Sequence, residues 1–523
     1  MMGLLSTSFI AVLALSAAAS VDVPALAAGP SGLWEQVPCP FPDQVTLDGR
    51  SLKNELQPVC GRLTVPENYD IPDGRTITVA AMIVQSRDPN KKPDPVLFLS
   101  GGPGSYALSN WEYVIHEPLA VDLVGDRDWV IIDQRGVGRS SPLPCQGPRP
   151  SDEALTACRD EFTAAGVDLS QYNSRRSADD IEALRRALGV RQWHLHGISY
   201  GTRLAYTVAR YYPDSVATMV LDAPFKPDDD ATIDDAIGLE TALRRLGAKC
   251  AEQPACAAAY PNVFDRFEQA LARYDVEPGN DEGLVLDDVR MLSFVRTHFG
   301  YDGIEPFDRR AQETLQMMDA IARGDQPVVR RIVEAFESPP SPPAPPPAPD
   351  APPPAPPAPP PAHTRHAFGM KWSVDCNEEK PFESLAAWRA AGQGRPIVKA
   401  ALESLEYRFD ICRSWPSGRA DAVENTPVDW SGPQLVLSGE LDPSVSGITG
   451  EEIAALYPHA RNIVFRNAWH GQIKTGDVVP ESAFNAYRMC AVGLARAFRN
   501  DPSAPLDARC AETRPLDLTP RNW

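Results

Sequence analysis

Positive charge is in short supply in this chain: 50 Lys and Arg face 70 Asp and Glu, for a formal net charge of −20. Nucleic-acid binding needs clustered cations to neutralise phosphates, and no basic cluster stands out, so nucleic acid is not an expected partner. Long apolar runs are missing too. Beyond the first residues no stretch approaches the ~20 apolar residues that a membrane helix requires, so the mature chain is not expected to span a membrane. The cysteines and histidines never fall into close zinc-type spacing, which argues against a metal site. What remains is a chain of 523 residues, 43% hydrophobic and 23% charged, an ordinary globular composition with room for more than one domain.

The first residues read as an export signal. Leu4 to Ala19 is uncharged and rich in Leu, Ala and Ser, and Ala25-Leu26-Ala27 supplies a small-x-small cleavage pattern, giving a signal peptide over 1–27. No Lys or Arg precedes the run, which departs from the usual pattern and leaves a membrane anchor as the alternative. The ten cysteines agree with export, because an even count in an exported chain suggests disulfides. Pairing sequence neighbours joins Cys39 with Cys60, Cys145 with Cys158, Cys250 with Cys256, Cys376 with Cys412 and Cys490 with Cys510. Sequence alone does not fix connectivity, and free buried thiols are the competing possibility.

Two early β segments, Leu63 to Val65 and Thr76 to Val84, flank Asp73-Gly74 and predict a hairpin or meander. Short apolar runs follow at Val96 to Leu99, Trp129 to Ile132, Trp193 to Leu195 and Met219 to Leu221. Between them Thr202 to Tyr212 carries Leu204, Ala205, Val208, Ala209 and Tyr212 at helical spacing. Alternating strand and helix predicts an α/β fold, with a mostly parallel sheet covered on both faces. The rhythm changes after Pro224: about 228 to 425 reads as helical, and strands return at Leu435 to Leu437 and Ile463 to Phe465. The expected organisation is a core over 28–224 and 431–523, interrupted by a helical cap over 225–430. Within the cap lies a tract, Pro339 to Pro361, in which sixteen of 23 residues are proline. It lacks the N–H donors of helix or sheet and predicts polyproline II, up to about 70 Å long at ~3.1 Å per residue. A proline-recognising partner is one use for it; an expanded surface loop is the simpler one.

The strongest chemical signal is Gly197-Ile198-Ser199-Tyr200-Gly201, set between the strand Trp193 to Leu195 and the following helix. This is G-x-S-x-G in a strand-turn-helix context, where glycines permit the cramped turn that exposes the serine. A serine hydroxyl needs a base. Among eight histidines, His470 combines a late position with a loop after a plausible strand. His459 precedes that strand, His194 and His196 alternate along the nucleophile strand, and His363 and His366 flank the proline tract. The acid that orients the base is expected at Asp442, in the loop after Leu435 to Leu437, with Glu440 and Asp222 as competitors. Oxyanion donors are expected from the N–H of Tyr200 and from Gly101-Gly102-Pro103-Gly104, with Gly102 the best single choice.

These residues resemble a known family. Ser100-Gly101-Gly102-Pro103-Gly104 resembles the H-G-G-P-G motif of prolyl and tripeptidyl aminopeptidases, with Ser100 in place of the usual His. Asp133 to Ser140 resembles their D-Q-R-G-x-G-x-S motif, and Gly197 to Thr202 their G-x-S-Y-G-T. Cys60 to Pro66 and Glu440-Leu441-Asp442-Pro443 are similar to the secreted tripeptidyl group. The resemblance implies an α/β-hydrolase fold and a serine exopeptidase acting on short peptides from a free N-terminus, with no cofactor and no metal. Such an enzyme must hold the substrate ammonium, and a carboxylate is the natural partner. Trp372 to Glu379 resembles the family's C-x-E segment, which makes Glu378 the candidate, with Glu379 and Asp375 behind it; solvated acidic residues are the competing reading. The Asp133 to Ser140 loop is expected to brace the oxyanion loop, with Arg135 able to brace or to touch substrate. An esterase or amidase acting on small non-peptide substrates is the alternative activity, because fold and triad serve both.

Overall fold

A computed structural model describes residues 32–520, apart from 42–43, 48–49, 54–55, 117–119, 146–150, 227, 229, 282–283, 300–306, 326, 329, 331–365, 446 and 474–481. The expected signal peptide and the Pro339 to Pro361 tract lie outside the described residues. The centre is a nine-stranded sheet built from β1 (Trp34–Val37), β2 (Val59–Pro66), β3 (Thr76–Val84), β4 (Val96–Leu99), β5 (Trp129–Ile132), β6 (Trp193–Ile198), β7 (Val216–Asp222), β8 (Gln434–Gly439) and β9 (Ala460–Phe465). Their spatial order is β1-β2-β3-β5-β4-β6-β7-β8-β9. The first four neighbours pair antiparallel, with β2 and β3 in register from Val59 opposite Ile83 to Pro66 opposite Thr76. From β5 to β9 every pairing is parallel. This is the α/β-hydrolase fold.

The central strands are short and apolar throughout. Every residue of β4 and β5 is buried, as expected where helices cover both faces of a parallel sheet. The faces separate by period two. Phe98 and Ile131 point into a core with Trp111, Trp129 and Phe498. Leu97, Val130 and Ile132 point the other way, onto helices α1 (Ser174–Ala187) and α2 (Tyr200–Tyr211). Placing β4 between β5 and β6 brings Leu99 level with Gly197. The glycine loop that follows β4 therefore stands beside the turn that follows β6.

Between β7 and β8 the chain leaves the sheet and forms helices, among them α3 (Ala231–Ala251), α4 (Asp288–Phe299) and α5 (Phe368–Val374). They bury a hydrophobic core of their own around Leu243, Phe267, Phe299, Leu315 and Trp388. A two-stranded ribbon, Gly279–Asp281 with Leu284–Leu286, sits in this region where the sequence shows no clear strand pattern. All ten cysteines stand in pairs, Cys39–Cys60, Cys145–Cys158, Cys250–Cys256, Cys376–Cys412 and Cys490–Cys510. Among the described residues no helix is long and apolar enough to cross a membrane.

Candidate active site

The turn between β6 and α2 holds Ser199 at φ 55° and ψ −129°. A non-glycine residue rarely adopts positive φ, and such strain concentrates at functional sites. The flanking glycines are steric requirements. A Cβ on Gly197 would lie 2.4 Å from the Gly201 carbonyl oxygen, and one on Gly201 would lie 2.1 Å from that of Leu99. The Ser199 N–H donates to the Asp222 carbonyl at 2.9 Å. The Ser199 carbonyl accepts from the Thr202 N–H at 2.8 Å and its hydroxyl at 2.6 Å. Helix α2 consequently starts at Tyr200, two residues before the hydrophobic period becomes visible in sequence.

The glycine loop after β4 lies against this turn. A Cβ on Gly101 would stand 2.8 Å from the Cβ of Ser199, so Gly101 is the glycine packed against the serine, and Gly102 follows at φ +117°. Nothing in the run of glycines distinguishes the two from sequence. The Asp133 to Ser140 loop supports them from below. Gln134 Nε2 donates to the Ser100 carbonyl at 3.1 Å. Asp133 accepts from the backbone N–H of Leu108 at 3.0 Å and of Arg139 at 2.9 Å, and burial pushes its carboxyl up to about 6. Arg135 is fully buried. It forks onto Asp180 at 2.8 and 2.7 Å and donates to the carbonyls of Glu67 and Gln171, each at 2.8 Å. Its donors are committed to the scaffold, so it braces.

The loop after β8 carries Asp442, and the loop after β9 carries His470. His470 Nδ1 lies 2.9 Å from Asp442 Oδ2 and 3.1 Å from Oδ1, and both side chains are buried. A carboxylate only accepts, so Nδ1 carries the proton and Nε2 is left with the lone pair a base needs. Asp442 Oδ1 also accepts from the N–H groups of Ser444 and Val445 at 2.9 and 3.0 Å. The acid strand and the histidine loop touch closely, because a Cβ on Gly439 would meet the Trp469 carbonyl oxygen at 2.1 Å. The competitor Glu440 is occupied elsewhere: its Oε2 accepts from the Asn467 N–H at 2.8 Å and pairs with Lys249 of α3 at 2.9 Å.

The other histidines considered from the sequence separate cleanly. His194 and His196 are buried in β6, and burial holds both down at about 3, hence neutral. His459 is exposed, and His363 lies outside the described residues. His366 meets Ser105 of the oxyanion loop, its Nε2 3.1 Å from the hydroxyl, while the Ala367 N–H donates to the Gly104 carbonyl at 2.9 Å. The cap thus returns to the core on the glycine loop, over a cluster of Tyr106, Val137, Tyr200, Ala367, Met370 and Val374.

Helix α5 runs into a wide π-type turn, Asp375–Glu379, a local widening often found at functional sites. It carries the acidic candidates and is fastened by Cys376–Cys412. Glu378 is buried, with Oε2 2.6 Å from the Ser174 hydroxyl and 3.4 Å from Arg203 Nε, while Oε1 accepts from the Ser174 N–H. Burial pushes its carboxyl up to about 7. The Ser174 hydroxyl is also 2.7 Å from the Tyr200 hydroxyl, so the network reaches the residue after Ser199. Glu379 Oε1 lies 3.3 Å from Arg203 Nη1, and its Oε2 is buried with no hydrogen-bond partner among the described residues. Asp375 pairs with Lys371. Of the three acidic candidates, Glu379 is the one with a buried oxygen that has no hydrogen-bond partner among the described residues.

Known proteins share the fold. A family profile described as alpha/beta hydrolase fold matches residues 94–256, and one described as TAP-like protein matches 399–487. A tripeptidyl aminopeptidase of Streptomyces lividans is 27% identical over 208 residues, 35% of this chain and 39% of the relative. Serine protease Hip1 of Mycobacterium tuberculosis is 28% identical over 255 residues, 42% of this chain and 46% of the relative. A proline iminopeptidase of Arabidopsis thaliana is 29% identical over 200 residues, 38% of this chain and 39% of the relative. The matched stretch spans less than half the length of each of these relatives. The chain has the α/β-hydrolase fold and is similar, over less than half of its length, to tripeptidyl aminopeptidases and a proline iminopeptidase.

Proposed function

We propose that this chain is an exported serine aminopeptidase that hydrolyses amide bonds near the free N-terminus of short peptides. Ser199 attacks the scissile carbonyl carbon while His470 Nε2 takes the hydroxyl proton. Asp442 holds the imidazole and stabilises its charged form. The N–H groups of Tyr200 and of the Gly101–Gly102 segment receive the oxyanion. The C–N bond then breaks, and His470 passes its proton to the leaving amine. Water, deprotonated by the same imidazole, adds to the acyl-enzyme and releases the new carboxylic acid and Ser199. These steps use the chain's own side chains and backbone. The bond from His470 Nδ1 to Asp442, together with a serine held at positive φ, is the observation that carries this reading.

The peptidase half of the proposal rests on the acidic turn. Glu379 offers a buried, unengaged oxygen next to a cluster that reaches Tyr200, and a substrate ammonium supplies the donors it lacks. Glu378, held by Ser174 and Arg203, acts behind it. Export rests on the five disulfides, which persist in oxidising compartments.

The test compares the protein with Ser199→Ala on free-amine and N-acetylated peptidyl amides of one to three residues and on simple aryl esters. Serine-dependent cleavage that is lost on acetylation supports an aminopeptidase and gives the length released. Ester cleavage indifferent to the amine leaves an esterase. The serine substitution is expected to lower kcat by roughly 10⁴-fold or more.

A further inference from the structure

Asp222 ends β7, between the strand that delivers the serine and the strand that delivers the acid. Its backbone pairs with Ile198 on one side and Leu437 on the other, and its carbonyl accepts the Ser199 N–H at 2.9 Å. Its side chain is fully buried and crosses to the histidine loop. The Gln472 N–H lies 2.7 Å from Oδ1 and 2.9 Å from Oδ2, and the Ile473 N–H lies 2.7 Å from Oδ2. The triad acid is a different residue, yet Asp222 contacts the backbone on either side of the reaction centre. We propose that Asp222 is a positioning residue for the base, clamping the loop just after His470 while its own backbone fixes the nucleophile turn. The inference rests on the hydrolase reading above.

The chemistry of the clamp requires a carboxylate. Two converging N–H groups need acceptor oxygens on both arms, and an asparagine would turn an amide N–H₂ toward one of them. No cation pairs with Asp222 among the described residues, so the N–H donors alone compensate a charge that is costly to bury. The ionisable groups facing it are His470, Asp442 and Tyr487, the last through Gln472, whose side-chain oxygen accepts the Tyr487 hydroxyl at 2.9 Å. Burial pushes the Asp222 carboxyl up to about 6, and above that pH its negative charge favours the imidazolium that forms as Ser199 attacks. Asp222 therefore acts through geometry and through charge, and two substitutions separate them. Asp222→Asn removes the charge and one acceptor arm. Asp222→Glu keeps the charge and displaces the acceptors.

The experiment measures the rate at which a fluorophosphonate labels Ser199, with its pH profile, alongside kcat and KM on a cleaved substrate and the melting temperature of each variant. Both variants are expected to label about 10- to 100-fold more slowly, the cost of a misplaced base, with KM little changed. In Asp222→Asn the acid limb of the profile moves to lower pH, because His470 loses a neighbouring negative charge; in Asp222→Glu it stays at the wild-type position. Variants that melt lower but keep the wild-type labelling rate and acid limb would make Asp222 a purely structural residue and overturn the proposal. Should Asp222→Asn not fold, Asp222→Glu decides alone: slowed labelling with an unmoved limb supports the clamp, and wild-type labelling overturns it. A wild-type protein whose Ser199 does not label removes the hydrolase reading instead, a result distinct from either.

Discussion

The sheet and the cap both bury carboxylates, but they satisfy them differently. In the sheet, Asp133, Asp222 and Asp442 accept from backbone N–H groups of the loops at its edge. In the cap, Asp375, Glu379 and Glu383 face the side-chain cations Lys371, Arg203 and Lys380, and Glu378 joins Arg203 to the N–H and hydroxyl of Ser174. A backbone donor is present whatever the side chain, so the core's geometry depends on where the chain runs and on glycines that let it run there. A side-chain donor exists only if that residue is kept. The core thus holds Ser199, Asp442 and His470 through backbone geometry, while the helical region between β7 and β8 carries charges held by side chains. Under the proposed function, chemistry falls to the core and selection of the free amine to the cap.

Arg203 offers the largest test of that contrast. Arg203→Met leaves Glu378 and Glu379 buried without their guanidinium, and breaking such a cluster from one side costs about 3–5 kcal/mol. Urea unfolding should show that loss; a change below about 1 kcal/mol would mean the pair is wetter than its burial implies. The core's counterpart is Gly201→Ala. Its Cβ would fall 2.1 Å from the Leu99 carbonyl oxygen, a backbone atom that cannot swing aside. Overpacking of this kind costs about 1–3 kcal/mol, and here it also displaces the serine from the glycine loop, so kcat should fall further than stability does.

The smallest effect is a pH dependence. Glu378 has its carboxyl raised from 4.5 to about 7 by burial. A raised value means the folded state favours the protonated form, so this contribution to stability is complete below 4.5 and lost as pH rises through about 7. Glu378→Gln lacks that titration. The melting temperature of the wild type, measured relative to the variant, should decline across this interval; parallel profiles would show that Glu378 stays ionised throughout.

How far this contrast was visible beforehand follows from the range of the interactions. The turn at Ser199 is written in a strand, two glycines and a helix within a dozen residues, and Asp442 and His470 follow from chain order and flanking strands. Pairing of sequence neighbours matches all five disulfides, although sequence alone leaves the connectivity open. The bonds from Glu378 to Ser174 join residues 204 apart in sequence, and those from Asp222 to Gln472 span 250. No local pattern announces such contacts. Sequence therefore offers Asp222 only as a rival to Asp442, and Glu378 as an amine ligand with no sign of its bonds to Ser174 and Arg203. Gly101, rather than Gly102, lies against the serine, because packing between two loops decides what a run of glycines leaves open.

The central claim, a core that cleaves and a cap that selects for a free amine, is tested most directly by one ratio. It is kcat/KM for a free-amine peptidyl amide divided by that for its N-acetylated form, measured in the wild type and in Glu379→Gln. The account predicts a large ratio in the wild type that collapses toward one in the variant. A wild-type ratio near one, or a variant that keeps the wild-type ratio, would contradict it.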